Sequence, residues 1–108
     1  MTIGQGWVYL VVSGLIDVAW ALSMKKANGF ANPGWSVVSL VLLAAFVYLL
    51  TRALTVLPVG TAYAVWTGIG AAGSVIAGIL LFSEPATAIR LVFICVVVVG
   101  IIGLQMTA

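Results

Sequence analysis

The sequence predicts an all-α integral membrane protein of four transmembrane helices in an up-down-up-down bundle. Three observations carry that prediction. The chain of 108 residues is 65% apolar and only 6% charged, where a soluble domain averages about 45–50% and about 25%. Its mean hydropathy is +1.36. Polar punctuation also divides it into four apolar runs, each near the ~20 residues that cross ~30 Å of hydrocarbon.

The first run extends from Ile3 to about Met24 and stops at "KKANGFANPG". The second runs from Trp35 to Leu54, with Arg52 near its end. After the turn "TVLPVG" the third run, 58–82, begins, and after "SEPATAIR" the fourth occupies Ala86 to Met106. In lipid only helices and closed barrels satisfy their own backbones, and unbroken apolar runs of this length are helical. The whole chain, 1–108, thus reads as one transmembrane domain with no soluble domain attached. "MTIGQGW" lacks the basic start of a cleavable signal peptide, so the first run is expected to stay as a helix. At the fourth helix, Ser83 or Glu84 is the expected cap, with Pro85 in its first turn. Lys25, Lys26 and Arg90 lie at helix ends, where long cationic side chains reach for headgroups.

Composition also excludes functions. Histidine is absent and cysteine occurs once, so no metal cluster, intramolecular disulfide or Cys/His catalysis is expected. Cys95, in "LVFICVVVVG", reads as a small apolar residue. No nucleophile–base set or cofactor motif is present, so neither an enzyme nor a cofactor is expected. Formal net charge is +2 from scattered residues, which makes no nucleic-acid footprint. Lys25, Lys26 and Arg90 fall on one side of the membrane and Arg52 on the other. That bias is weak under the positive-inside rule, so the chain could insert both ways.

Asp17 breaks the first run, "LVVSGLIDVAWALSM". An aspartate near a helix centre costs about 2.5–3.5 kcal/mol on insertion scales and usually faces a partner or a polar cavity. No basic residue shares its depth, so it awaits a proton or an external cation. Helical spacing puts Leu10, Ser13, Gly14, Trp20, Ala21 and Met24 on its face, with the Ser13 hydroxyl one turn before it and the Trp20 indole one turn after. In "TAYAVWTG" of the third run, Tyr63 and Trp66 are three apart and share a face, and aromatic faces attract cations. Trp7, Tyr9 and Trp35 lie near helix ends and read as interfacial; position alone leaves Trp20 and Tyr63 open between belt and site. Four short helices leave little room for a transport cavity in one copy, so a pathway is expected between chains. Small residues support close approach: Gly70, Ser74 and Gly78 at spacing four, and Gly100 and Gly103 in the last helix. Gly68 and Gly70, two glycines in one turn, are the candidate hinge.

"LPVGTAYAVWTGIGA" closely resembles the third helix of the small multidrug resistance family; "NGF", "FSEP" and "GIIGL" follow in register. The resemblance implies an antiparallel, dual-topology dimer in the bacterial inner membrane that exports small organic cations in exchange for protons by alternating access. It puts the shared proton and substrate carboxylate at Asp17, the binding positions at Trp20, Tyr63 and Trp66, and the third-helix bend at Gly68 and Gly70. Trp20 resembles the guanidinium-exporting branch. Three positions depart from the pattern: Asp17 stands where the family has Glu, Phe46 where guanidinium exporters carry Ser, and Gln105 where Lys is common. A more apolar site with a recessed acid suits substituted guanidinium ions. It also suits broader quaternary ammonium or aromatic cations, or a subunit that pairs with a related second chain. A structural or accessory membrane protein with no transport of its own is the reading from a different class.

Overall fold

A computed structural model describes residues 1–107, in four helices: α1 Ile3–Ala27, α2 Pro33–Ala53, α3 Val59–Phe82 and α4 Ala88–Thr107. All four are long and apolar enough to cross a membrane. Thr2 and Gln5 form a reciprocal cap on α1. The Gln5 N–H donates to Thr2 Oγ1 (3.2 Å) and the Thr2 N–H donates to Gln5 Oε1 (3.0 Å), which satisfies two donors that the first turn would leave free. α1 runs to Ala27, where Asn28 turns left-handed (φ 50°) and its N–H donates to the Lys25 carbonyl.

Two helix starts differ from the sequence expectation, each for a capping reason. α2 begins at Pro33, because the Asn32 side chain accepts the Trp35 N–H (3.3 Å) and proline needs no donor at the first position. α4 begins at Ala88, and its cap is neither Ser83 nor Glu84. Thr87 Oγ1 accepts the Arg90 N–H at 3.4 Å. Ser83 instead closes α3 in a left-handed conformation (φ 54°). The Glu84 N–H donates to the Gly78 carbonyl (3.2 Å), while its carboxylate pairs with Lys25 Nζ at 3.0 Å. Glu84 therefore ties the end of α1 to the α3–α4 turn. That ion pair is largely exposed, and such pairs are worth about 0–1 kcal/mol.

α1 packs against both α2 and α3, and α4 leans on α3. The bundle is flat, 40 × 35 × 16 Å. The buried cluster is small and lies to one end: Leu10, Ala53, Leu57, Ala62 and Val65 come together where the α2–α3 turn folds against the first half of α1. No residue of α4 is buried, and Gly100 and Gly103 have open space beside them. The glycines of α3 make close approaches toward α4 at Gly68 and toward α1 at Gly70 and Gly73. A Cβ at Gly14 would lie 2.7 Å from Ile69 Cγ2, and one at Gly73 would press on Val18. Without a hydrophobic force between helices in lipid, such backbone proximity is a main source of association.

Gly14→Ala is expected to destabilise the fold by about 1–3 kcal/mol, the usual cost of overpacking. Gly60→Ala should be neutral or better, since nothing lies within 4 Å of that position. Thermal unfolding in detergent, followed by tryptophan emission, compares the two; equal midpoints would contradict the assigned α1–α3 contact.

Candidate ion-binding site on the open face

α1 presents Asp17 toward α3, with the side chain half-buried. A Cβ at Gly70 would overlap Asp17 Oδ2 and stand 3.4 Å from its Cγ. The carboxylate is seated directly on the α3 backbone, at a spot that a side chain would fill. Among the described residues no hydrogen-bond donor or cationic side chain pairs with it; the one ion pair is Lys25–Glu84.

Trp20, three residues after the acid on α1, begins a row of four rings from three helices. Trp20 of α1 meets Phe46 of α2 at 5.4 Å between centroids, tilted by 57°. Phe46 stacks on Trp66 of α3 at 5.6 Å and 30°. Trp66 meets Tyr63 at 5.7 Å and 44°. These separations lie within the 4.5–7 Å of favourable aromatic pairs, worth about 0.5–1.5 kcal/mol each. Phe46, at 4% exposure, is the buried middle of the row, and Tyr63, at 60%, is its open end. Trp66 Nε1 is buried without a hydrogen-bond partner, and an indole N–H that is buried usually finds one.

The site residues read from the sequence thus divide into those that meet and those that do not. Trp20, Phe46, Trp66 and Tyr63 come together as one row, and Asp17 meets α3 at Gly70, four residues beyond Trp66. Ser13 does not offer its hydroxyl to the acid: it is fully buried, and its Oγ donates to the Phe46 carbonyl at 2.8 Å. That bond ties α1 to the α2 backbone at Phe46. Gly68 faces α4, where a Cβ would lie 2.9 Å from Ile101 Cδ1, and α3 is continuous through both hinge candidates. Gly70, expected from the sequence as a hinge and as a small residue for close approach, also seats the carboxylate. The signal was available: residues 63, 66 and 70 follow one helical stripe.

A half-buried carboxylate without a resident counter-ion, bordered by rings on a membrane-crossing scaffold, marks a carrier of small cations rather than an enzyme. The comparisons agree with that class. The chain belongs to the Small Multidrug Resistance protein family, matched over residues 5–97. It is 46% identical over 104 residues to the guanidinium exporter of Yersinia pseudotuberculosis, covering 96% of this chain and 100% of that one. The guanidinium exporter of Salmonella typhimurium is 44% identical over 104 residues, with 96% and 99% covered. That of Escherichia coli (strain K12) is 46% identical over 103 residues, with 95% and 98% covered.

Asp17 is the one aspartate in the chain, so aspartate-selective ¹³C labelling yields a single side-chain carboxyl signal. Gly70→Ala is expected to displace the acid, moving both that signal and the pH at which it titrates. Gly60→Ala should leave them where they are. An unmoved signal in Gly70→Ala would contradict the seating described here.

Proposed function

We propose that this chain is a proton-coupled exporter of guanidinium and substituted guanidinium ions, with Asp17 as the common site for proton and substrate. It is a multi-pass transporter of the bacterial inner membrane. The observation that carries the proposal is the seating of Asp17, unpaired, beside the ring row. The names of the three relatives support it independently.

The coupling follows from elementary electrostatics. A carboxyl in a low-dielectric site is costly to ionise, and either a proton or a bound cation removes that cost. One acid cannot hold both, so each displaces the other. Guanidinium is planar, always charged and able to place two parallel N–H bonds on a carboxylate. Hydrogen bonds to charged groups contribute about 1.5–3 kcal/mol each, against about 0.5–2 kcal/mol for a cation over a ring. The fork on Asp17 therefore outweighs any one ring contact. An apolar substituent adds the rings Trp20, Phe46, Trp66 and Tyr63 to the fork. Quaternary ammonium ions have only the rings and the charge; the buried Phe46 in mid-row favours them as the second reading.

The flat bundle leaves the open face of Asp17 uncovered, which supports a functional unit of two subunits with these faces opposed. The weak charge bias suits an antiparallel homodimer, and a related second chain is the other possible partner. Bending at Gly68 and Gly70 would turn the shared site from one side of the membrane to the other.

Asp17→Asn keeps the shape but cannot ionise. It is expected to abolish guanidinium uptake driven by a proton gradient in proteoliposomes, while the protein stays folded. In the wild type, guanidinium affinity should fall as the pH is lowered through the titration of Asp17, because protons compete. Proton-driven uptake by the purified Asn variant at the wild-type rate would sink the mechanism. Asp17→Glu and Phe46→Ser are both expected to raise transport of guanidinium relative to a bulky quaternary ammonium ion. The first lengthens the acid and the second removes a ring. Ratios that stay at the wild-type value in both variants would show that neither residue sets specificity.

A further inference from the structure

On the side of α1 turned away from Asp17 lies a crevice of about 260 Å³ between three helices. Ala19 and Leu22 of α1, Val38 and Leu42 of α2 and Leu81 of α3 form its walls, and Lys26 and Trp35 stand at its mouth. Lys26 is nine positions beyond Asp17, roughly two and a half turns of a 3.6-residue helix, which puts it on the opposite face. The Lys26 ammonium sits 4.8 Å over the Trp35 ring centroid. We propose that this crevice is a site for one anionic phospholipid, with the lipid phosphate on Lys26 and the first part of an acyl chain between the apolar walls.

Three features select that occupant. The crevice falls just below the roughly 300–1,000 Å³ of pockets that enclose drug-sized ligands, and it suits a length of chain rather than a whole molecule. Its one polar wall residue, Ser23, already donates its hydroxyl to the Trp20 carbonyl at 2.7 Å, so nothing in the walls asks for a polar guest. The mouth is cationic, which disfavours the cations that Asp17 would carry. Of the two adjacent lysines, Lys25 is engaged by Glu84 and by the Phe82 ring 4.5 Å away. Lys26 is exposed and has no acidic partner among the described residues. It lies in the last turn of α1 and Trp35 in the first turn of α2, the depth at which headgroups and interfacial indoles meet. Of the two lysines, Lys26 is therefore the one whose charge is not met by a carboxylate, and it lines the apolar crevice.

Native mass spectrometry of the purified protein in mild detergent tests the proposal, with phosphatidylglycerol and phosphatidylcholine of identical chains titrated in turn. A lysine near an anionic headgroup contributes about 1 kcal/mol, which is a preference of about five-fold for phosphatidylglycerol. Lys26→Gln is expected to lose that preference and Lys26→Arg to keep it. The double substitution K25Q/E84Q removes the neighbouring ion pair without changing local net charge, and should also keep it. Soluble glycerol phosphate should not displace the lipid, because it has no chain to seat in the crevice. Equal retention of both lipids by the wild type, or a preference that survives Lys26→Gln, would overturn the site. So would loss of the preference in Lys26→Arg or in K25Q/E84Q, or displacement by glycerol phosphate.

Discussion

Asp17 can stand against α3 because residue 70 has no side chain. The rest of the site depends on that contact. It draws α1 and α3 together beside two more side-chain-free positions, Gly14 against Ile69 and Gly73 against Val18. It sets the acid at the level of residue 70, one turn beyond Trp66 on the same stripe of α3. An alanine at 70 would have to push the carboxylate outward or part the two helices. Polarity and packing are therefore one constraint here: the group that costs most to bury is also the one that the backbone is shaped to receive.

The helices themselves were legible in the sequence because each apolar run is long enough to span a bilayer and ends in polar punctuation. Their ends were less so. "ANP" before Trp35 reads as loop by composition, yet Asn32 and Pro33 are the cap and first residue of α2. Glu84 has the right chemistry to cap α4, but Lys25 is within its reach from another helix, and no local rule anticipates a partner 59 residues away. In the site, the shared face of Asp17 and Trp20 and that of Tyr63 and Trp66 follow from helical period alone. The period does not say which neighbouring helix meets that face. Ser13 has the correct spacing to serve Asp17, and its hydroxyl goes to the Phe46 carbonyl instead. Phe46 was visible only as a departure from a family pattern. Its place in the middle of the ring row needed three helices to be assembled.

The charges at the helix ends form a second system, on the molecule's rim rather than in the site. Lys25, Lys26, Glu84 and Arg90 share one end, and Arg52 stands at the other. Arg90 Nη1 donates to the Pro85 carbonyl at 2.6 Å and Arg52 Nη1 to the Tyr48 hydroxyl at 3.3 Å. Each cation is thus folded against its own helix end or a neighbour, with Lys25 on Glu84 and Lys26 over Trp35. Such contacts are individually weak. They add little to the charge bias that decides which end faces the cytoplasm.

The thinness of the bundle bears on how a carboxylate at mid-membrane could do work. A site wrapped on all sides by its own chain would have to break its core to change access, and this core is confined to one end of the molecule, around Leu10 and Val65. The half that holds Gly70 and the end of α3 buries only small side chains, Ser23, Ala27, Ser39 and Ala72, beside its glycine contacts. Rigid packing below and shallow packing above is the distribution expected of a scaffold in which one segment moves while the other keeps its register. Asp17 lies at the boundary between the two, where a small displacement of α3 changes what its carboxylate can reach.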